Sequence, residues 1–154
     1  MRDPGRWAAL LAGLWAGLLL CIGVVAAPAG FALLAPAEAG RVAGRMLAIE
    51  AHAALALVMV LYALERFRNR EAAAAGAVSA LGSNTLLIFG ALFCTVAGHF
   101  AVQPMIAAAR AGQGSLSFGA LHGISVAFFA AKGLMVLWLA WRLNAARLIR
   151  PPTS

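Results

Sequence analysis

Four long apolar stretches, separated by short polar or basic ones, set the pattern of this chain. The clearest is Phe118 to Trp141, whose 24 positions would span roughly 36 Å as a helix and so exceed a hydrocarbon core of about 30 Å. Trp7 to Ala27 predicts a first span, ended by Pro28, which has no backbone N–H to give a helix. Its apolar run is longer than the core of a secretory signal, so it predicts a retained span. Pro36 and Glu38 suit the first turn of a second helix that begins before the membrane does. That helix passes Arg41 and Arg45, crosses over residues 46–64 and leaves through Glu65, Arg66, Arg68 and Arg70. Glu71 to Leu81 carries no strong amphipathic stripe and predicts a short connector helix near the surface, closed by a break and N-cap at Gly82-Ser83-Asn84. A third span over residues 86–104, a polar linker from Ala109 to Ser115 and a basic tail from Arg142 to Arg150 complete the reading. The expected fold is all-α: a single integral membrane bundle of four transmembrane helices, over 7–27, 46–64, 86–104 and 118–141.

Composition sharpens the class. Of 154 residues, 64% are hydrophobic and 11% charged, which leaves no room for a separate soluble domain. The net charge of +7 does not argue for nucleic acid, because the arginines sit at the ends of the apolar segments, where lipid headgroups are the anionic partner. Arg2, Arg6, Arg66, Arg68, Arg70, Arg142, Arg147 and Arg150 fall on one side of the membrane, against Arg41, Arg45 and Arg110 on the other. The positive-inside rule then predicts both termini in the cytoplasm of a bacterial-type inner membrane. Cys21 and Cys94 lie inside spans and read as small apolar residues, not as a disulfide framework.

Ionisable and polar groups inside apolar spans need partners, because exposing them to lipid is costly. Measured from the outer ends of their spans, Glu50 and His52 fall roughly 6 to 9 Å deep, His99 roughly 7 Å and His122 roughly 6 Å, with Gln103 and Ser125 in the same layer. The expected pocket is centred on His122, His99, His52, Gln103 and Ser125, with Arg45 seven residues before His52 at its mouth. Glu50 and His52 lie about 200° apart around their helix, so only one of them can face a common centre. Lys132 is deeper, roughly 21 Å, but its amine leans back toward the layer, and Glu50 is its most obvious counter-charge. The pair reads as structural before it reads as a proton or ion relay. Three imidazoles at one depth are candidate ligands for a transition metal or a haem, although no i, i+3 or i, i+4 His/Glu spacing marks a bundle metal site. No catalytic residue and no reaction can be assigned.

Several short motifs occur together: Leu14-Trp15-x-Gly17, Ala27-Pro28-x-x-Phe31, Ala39-Gly40-Arg41-x-x-Gly44, Val102-Gln103-Pro104 and Phe118-Gly119-x-Leu121-His122-Gly123-x-Ser125. In this order the chain resembles the transmembrane-protein-205-like family, also catalogued as domain of unknown function 4149, from about Trp7 to Trp141. The resemblance implies a four-helix membrane protein that keeps its first segment, and it brings no reaction with it. One departure stands out, since relatives tend to have asparagine one turn after the serine, where this chain has Phe129. Two functions remain in view. One is an intramembrane site for a metal, haem or small ligand. The other is a non-enzymatic subunit or assembly partner, in a homo-oligomer or a membrane complex, with the polar layer as internal glue and a helix surface such as Gly13 and Gly17 as the contact.

Overall fold

The computed structural model describes residues 3–74 and 82–148. They form four long helices: α1 (Pro4–Leu33), α2 (Pro36–Ala74), α3 (Ser83–Arg110) and α4 (Phe118–Leu148). Each contains a stretch long and apolar enough to cross a membrane. Large apolar side chains stand on the outside, among them Val24, Met59 and Leu134, each 69% exposed. In water such a surface would drive association; in a bilayer it is the lipid face.

Local signals explain most of the helix ends. Asp3 caps α1, its carboxylate accepting from the Gly5 N–H at 2.9 Å, with Pro4 at the first helical position. Only Leu34 and Ala35 separate α1 from α2, and Pro36 opens the new helix. α3 ends in a Schellman motif: Gly112 takes φ +72°, the Gln113 N–H bonds Ala108 O at 2.9 Å and the Gly112 N–H bonds Ala109 O at 3.2 Å. The linker expected there is present. Of the segment expected to form a connector helix, Glu71 to Ala74 continue α2 unbroken, and residues 75–81 lie outside the described residues. α4 likewise runs past Trp141 into the basic tail.

Pro28 does not end α1. Ahead of it, Cys21–Ala26 widen into a π-helical stretch, and Val96–Ala101 do the same ahead of Pro104 in α3. A proline inside a helix removes one hydrogen bond and pushes on the carbonyl four residues back, here Val24 and Phe100. Both of those residues lie within the widened turns, which absorb the clash without stopping the helix.

Before its π turn, α1 packs along α4; the segment Ala27–Leu33 packs on α2 and has parted from α4. The bundle is therefore closed at the end that carries residues 3 and 148 and open at the end that carries the α1–α2 and α3–α4 turns. The closed half holds the main core, with Ala8, Ala12 and Ala16 letting α1 approach Val136, Leu139 and Leu143 of α4. A polar clasp completes that end. Glu65, 6% exposed, accepts from Arg68 at 2.8 Å and from Asn84 at 3.1 Å, and Arg142 donates to Asn84 at 3.1 Å, tying α2, α3 and α4 together. At the open end, α3 and α4 stay paired through Val102, Ile106 and Leu121.

Candidate functional site

At the floor of the open half lies a buried ion pair. Lys132 of α4 donates to Glu50 Oε2 of α2 at 2.5 Å, and Trp15 of α1 donates its indole N–H to Glu50 Oε1 at 3.0 Å. The three residues are 4%, 2% and 1% exposed, so the carboxylate is held from both sides, away from lipid and bulk solvent, by groups on two other helices. The pairing is the one expected from the sequence, but the depths are not. Counting from Met46 set Glu50 far above Lys132, whereas both lie fourteen residues from the starts of their helices, Pro36 and Phe118, about 21 Å along each. Side chains tilt toward the helix N-terminus, and both of these termini are at the open end, so the two groups lean the same way and meet.

Two cavities stack above this pair. The smaller, about 30 Å³, is lined by Glu50, Lys132, Thr95, His99, Gln103 and Ser125, among others, and has room and polarity for one or two waters. Thr95 spends its hydroxyl proton on Ala91 O at 2.9 Å and so presents lone pairs to it. The larger cavity, about 500 Å³, fills the gap between the diverging end of α1 and α4. Its wall is mostly apolar, with Phe31, Ala43, Ile106 and Val126, and its mouth carries Pro36, Arg110, Phe118 and His122. Leu47, Gln103, Ser125 and Phe129 line both cavities and form the neck between them. In that neck Gln103 Nε2 is 3.5 Å from Ser125 Oγ. Phe129 rests against Gly23, where a Cβ would come within 3.0 Å of its ring, and lies 5.4 Å from the Lys132 ammonium.

The histidine-centred pocket is not what the structure builds. Glu50, not His52, takes the inward position on α2, as their 200° separation allows for only one of them. His52 is exposed, lines neither cavity, and places Nδ1 2.7 Å from Ala48 O. Its ring meets His99 edge-on at 6.2 Å, and both pack on Phe100. His99 lines the small cavity, while His122 stacks on Phe118 at the mouth of the large one. Arg45 is exposed and lines neither, and Arg41 lies 3.7 Å from Glu38 at the surface. Among the described residues no three His, Cys, Asp or Glu side chains gather as a metal site of that size would require. Cys94 is buried beside the small cavity, whereas Cys21 faces outward.

Sequence reasoning passed over Trp15 as a site residue, though a signal was present. Trp7, Trp138 and Trp141 suit an interface, but a tryptophan in the middle of a span must find a partner for its N–H within the bundle.

Residues 10–115 match the family model described as domain of unknown function, DUF4149. That is well over half of the chain. The protein belongs to the DUF4149 family. The matched region of this DUF4149 protein takes in Trp15, Glu50, His99 and Gln103 and stops short of α4, so Lys132, the fourth helix's contribution to the floor, lies beyond it. No curated protein and no solved structure matches the chain. It is a four-span membrane protein whose family carries no assigned activity.

Proposed function

We propose that this DUF4149 protein holds a small amphipathic molecule, drawn from the bilayer, in the cavity between the end of α1 and α4. The observation that carries this reading is the cavity itself. At about 500 Å³ it falls within the range of small-molecule sites, about 300–1,000 Å³, and it joins an apolar wall to a few polar groups at the neck and mouth. The arginine asymmetry supports placing that mouth at the extracytoplasmic face of a bacterial-type inner membrane, with the closed end and both termini in the cytoplasm.

Gly44 provides the test. It lines the cavity, and a Cβ built on it meets nothing within 4 Å, so Gly44→Phe should fill the space without disturbing the helix backbone. Mass spectrometry of protein released from mild detergent is expected to find a bound amphiphile on the unaltered protein and to lose it in Gly44→Phe. Equal retention by a folded Gly44→Phe would sink the proposal. One observation favours the other reading, an assembly subunit whose polar groups serve packing: the Trp15, Glu50 and Lys132 groups bond one another across three helices, each with at least one partner inside the bundle. A partner that co-purifies in fixed stoichiometry, with the cavity empty, would establish that role.

A further inference from the structure

Resting on that reading of the cavity as a ligand site, we propose that its occupant is a single-chain amphiphile with an anionic head, a carboxylate or a phosphate monoester. The head seats at Arg110 and His122, and the chain points inward to Phe129.

Three features of the wall select this ligand and orientation. The first is charge. Arg110 and His122 are the ionisable residues that line the large cavity, and among the described residues no acidic side chain does. An anion is favoured there and a cation is not. Arg110 is also turned toward the opening: its guanidinium lies over the Phe118 ring at 4.9 Å, and its Nη2 comes within 3.7 Å of where a Gly40 Cβ would stand on α2. A guanidinium is a fork of donors suited to carboxylate or phosphate oxygens, and the His122 imidazole, stacked on the same Phe118 ring at 5.7 Å, adds a ring nitrogen to the cavity wall.

The second feature is depth. From Phe118 to Phe129 on α4, and equally from Pro36 to Leu47 on α2, the wall runs eleven residues, about 16 Å, close to half of a hydrocarbon core of about 30 Å. A cavity one leaflet deep, open at the interface, accepts one lipid chain end-on. The third feature is the floor. Beyond the Phe129 neck the Lys132 ammonium is already neutralised by Glu50, whose other oxygen is bound by Trp15, so an anionic head at that level would have to break a buried pair. The apolar terminus of a chain meets the Phe129 ring without disturbing it.

The test uses full-length protein, freed of lipid in a non-ionic detergent, and four probes of equal chain length: hexadecanoic acid, hexadecyl phosphate, hexadecanol and hexadecylammonium. Both anions are expected to bind at least about 10-fold more tightly than the alcohol, as one or two charge-assisted hydrogen bonds would give. The ammonium probe should be the weakest. Arg110→Gln, an exposed substitution, should bring the anions to the level of the alcohol and leave the alcohol unchanged. A carboxylate ranked above the phosphate identifies a fatty-acid-like ligand, and the reverse order a phosphate-bearing lipid; either supports the proposal. Equal binding of acid and alcohol would leave the cavity as a chain site and overturn the anionic head. An anion preference that survives Arg110→Gln but is lost in Glu50→Gln/Lys132→Met would put the head at the floor and overturn the orientation. Retention of no probe would remove the ligand reading as well.

Discussion

At the scale of single residues, the arrangement turns on Glu50. Its carboxylate takes one hydrogen bond from Trp15 and one from Lys132, and each of the three side chains comes from a different helix. Removing one member of a buried ion pair leaves the other uncompensated and typically costs about 3–5 kcal/mol, whereas replacing both by apolar or neutral groups is often close to neutral. Lys132→Met is therefore expected to destabilise the bundle by about that amount, and Glu50→Gln/Lys132→Met by clearly less than the sum of the two single changes. Thermal unfolding in detergent would show it; additive losses would mean the pair is not coupled. The sequence disclosed both charges and their pairing, because a lysine and a glutamate inside apolar spans have few other partners. It did not disclose their level. Depth was reckoned from where the apolar run of α2 begins, but the helix starts ten residues earlier, and the distance along the whole helix decides what meets what. The same error of origin lifted His52 and His99 to the level of His122, whose own depth, counted from Phe118, is unchanged. Around α2 only one of Glu50 and His52 can look inward; the expected pocket took His52, and burial settles it for Glu50.

Among the elements, the two prolines were legible as disturbances but not as continuations. A local rule says that Pro28 stops a helix; in a membrane the alternative, a free chain end in lipid, is worse, and a widened turn satisfies the backbone at lower cost. That choice sends Ala27–Leu33 away from α4 and opens the large cavity, so the feature that sequence reasoning read as a boundary is the one that makes the site. Close approach elsewhere depends on glycine. A Cβ on Gly98 would stand 2.9 Å from Phe128 Cβ, an atom fixed to the α4 backbone, whereas one on Gly13 would meet nothing within 4 Å. Gly98→Ala should cost about 1–3 kcal/mol by forcing α3 and α4 apart. Gly13→Ala should be neutral, or more stable by up to about 1 kcal/mol through helix propensity, if its face meets only lipid. Unfolding measurements on the two variants check both statements, and a large loss from Gly13→Ala would instead point to a helix partner on that face.

For the whole molecule, the four-span class was readable from apolar run lengths, since a stretch long enough to cross a bilayer has little other use. What composition cannot express is the difference between the two ends. The closed end combines a small-residue core with the Glu65, Arg68, Asn84 and Arg142 clasp; the open end trades packing for a cavity with Arg110 and His122 at its mouth. Under the proposed function, the mouth of the open end faces the outside and admits an amphiphile. Labelling introduced cysteines in intact cells tests both parts at once, in a background of Cys21→Ser/Cys94→Ala. A membrane-impermeant thiol reagent is expected to label Gly40→Cys, which lines the cavity near its mouth, from outside, more slowly once hexadecanoic acid is added, and to reach Asp3→Cys only after the cells are permeabilised. Labelling of Asp3→Cys in intact cells, or of Gly40→Cys only after permeabilisation or at a rate that the fatty acid leaves unchanged, would contradict it.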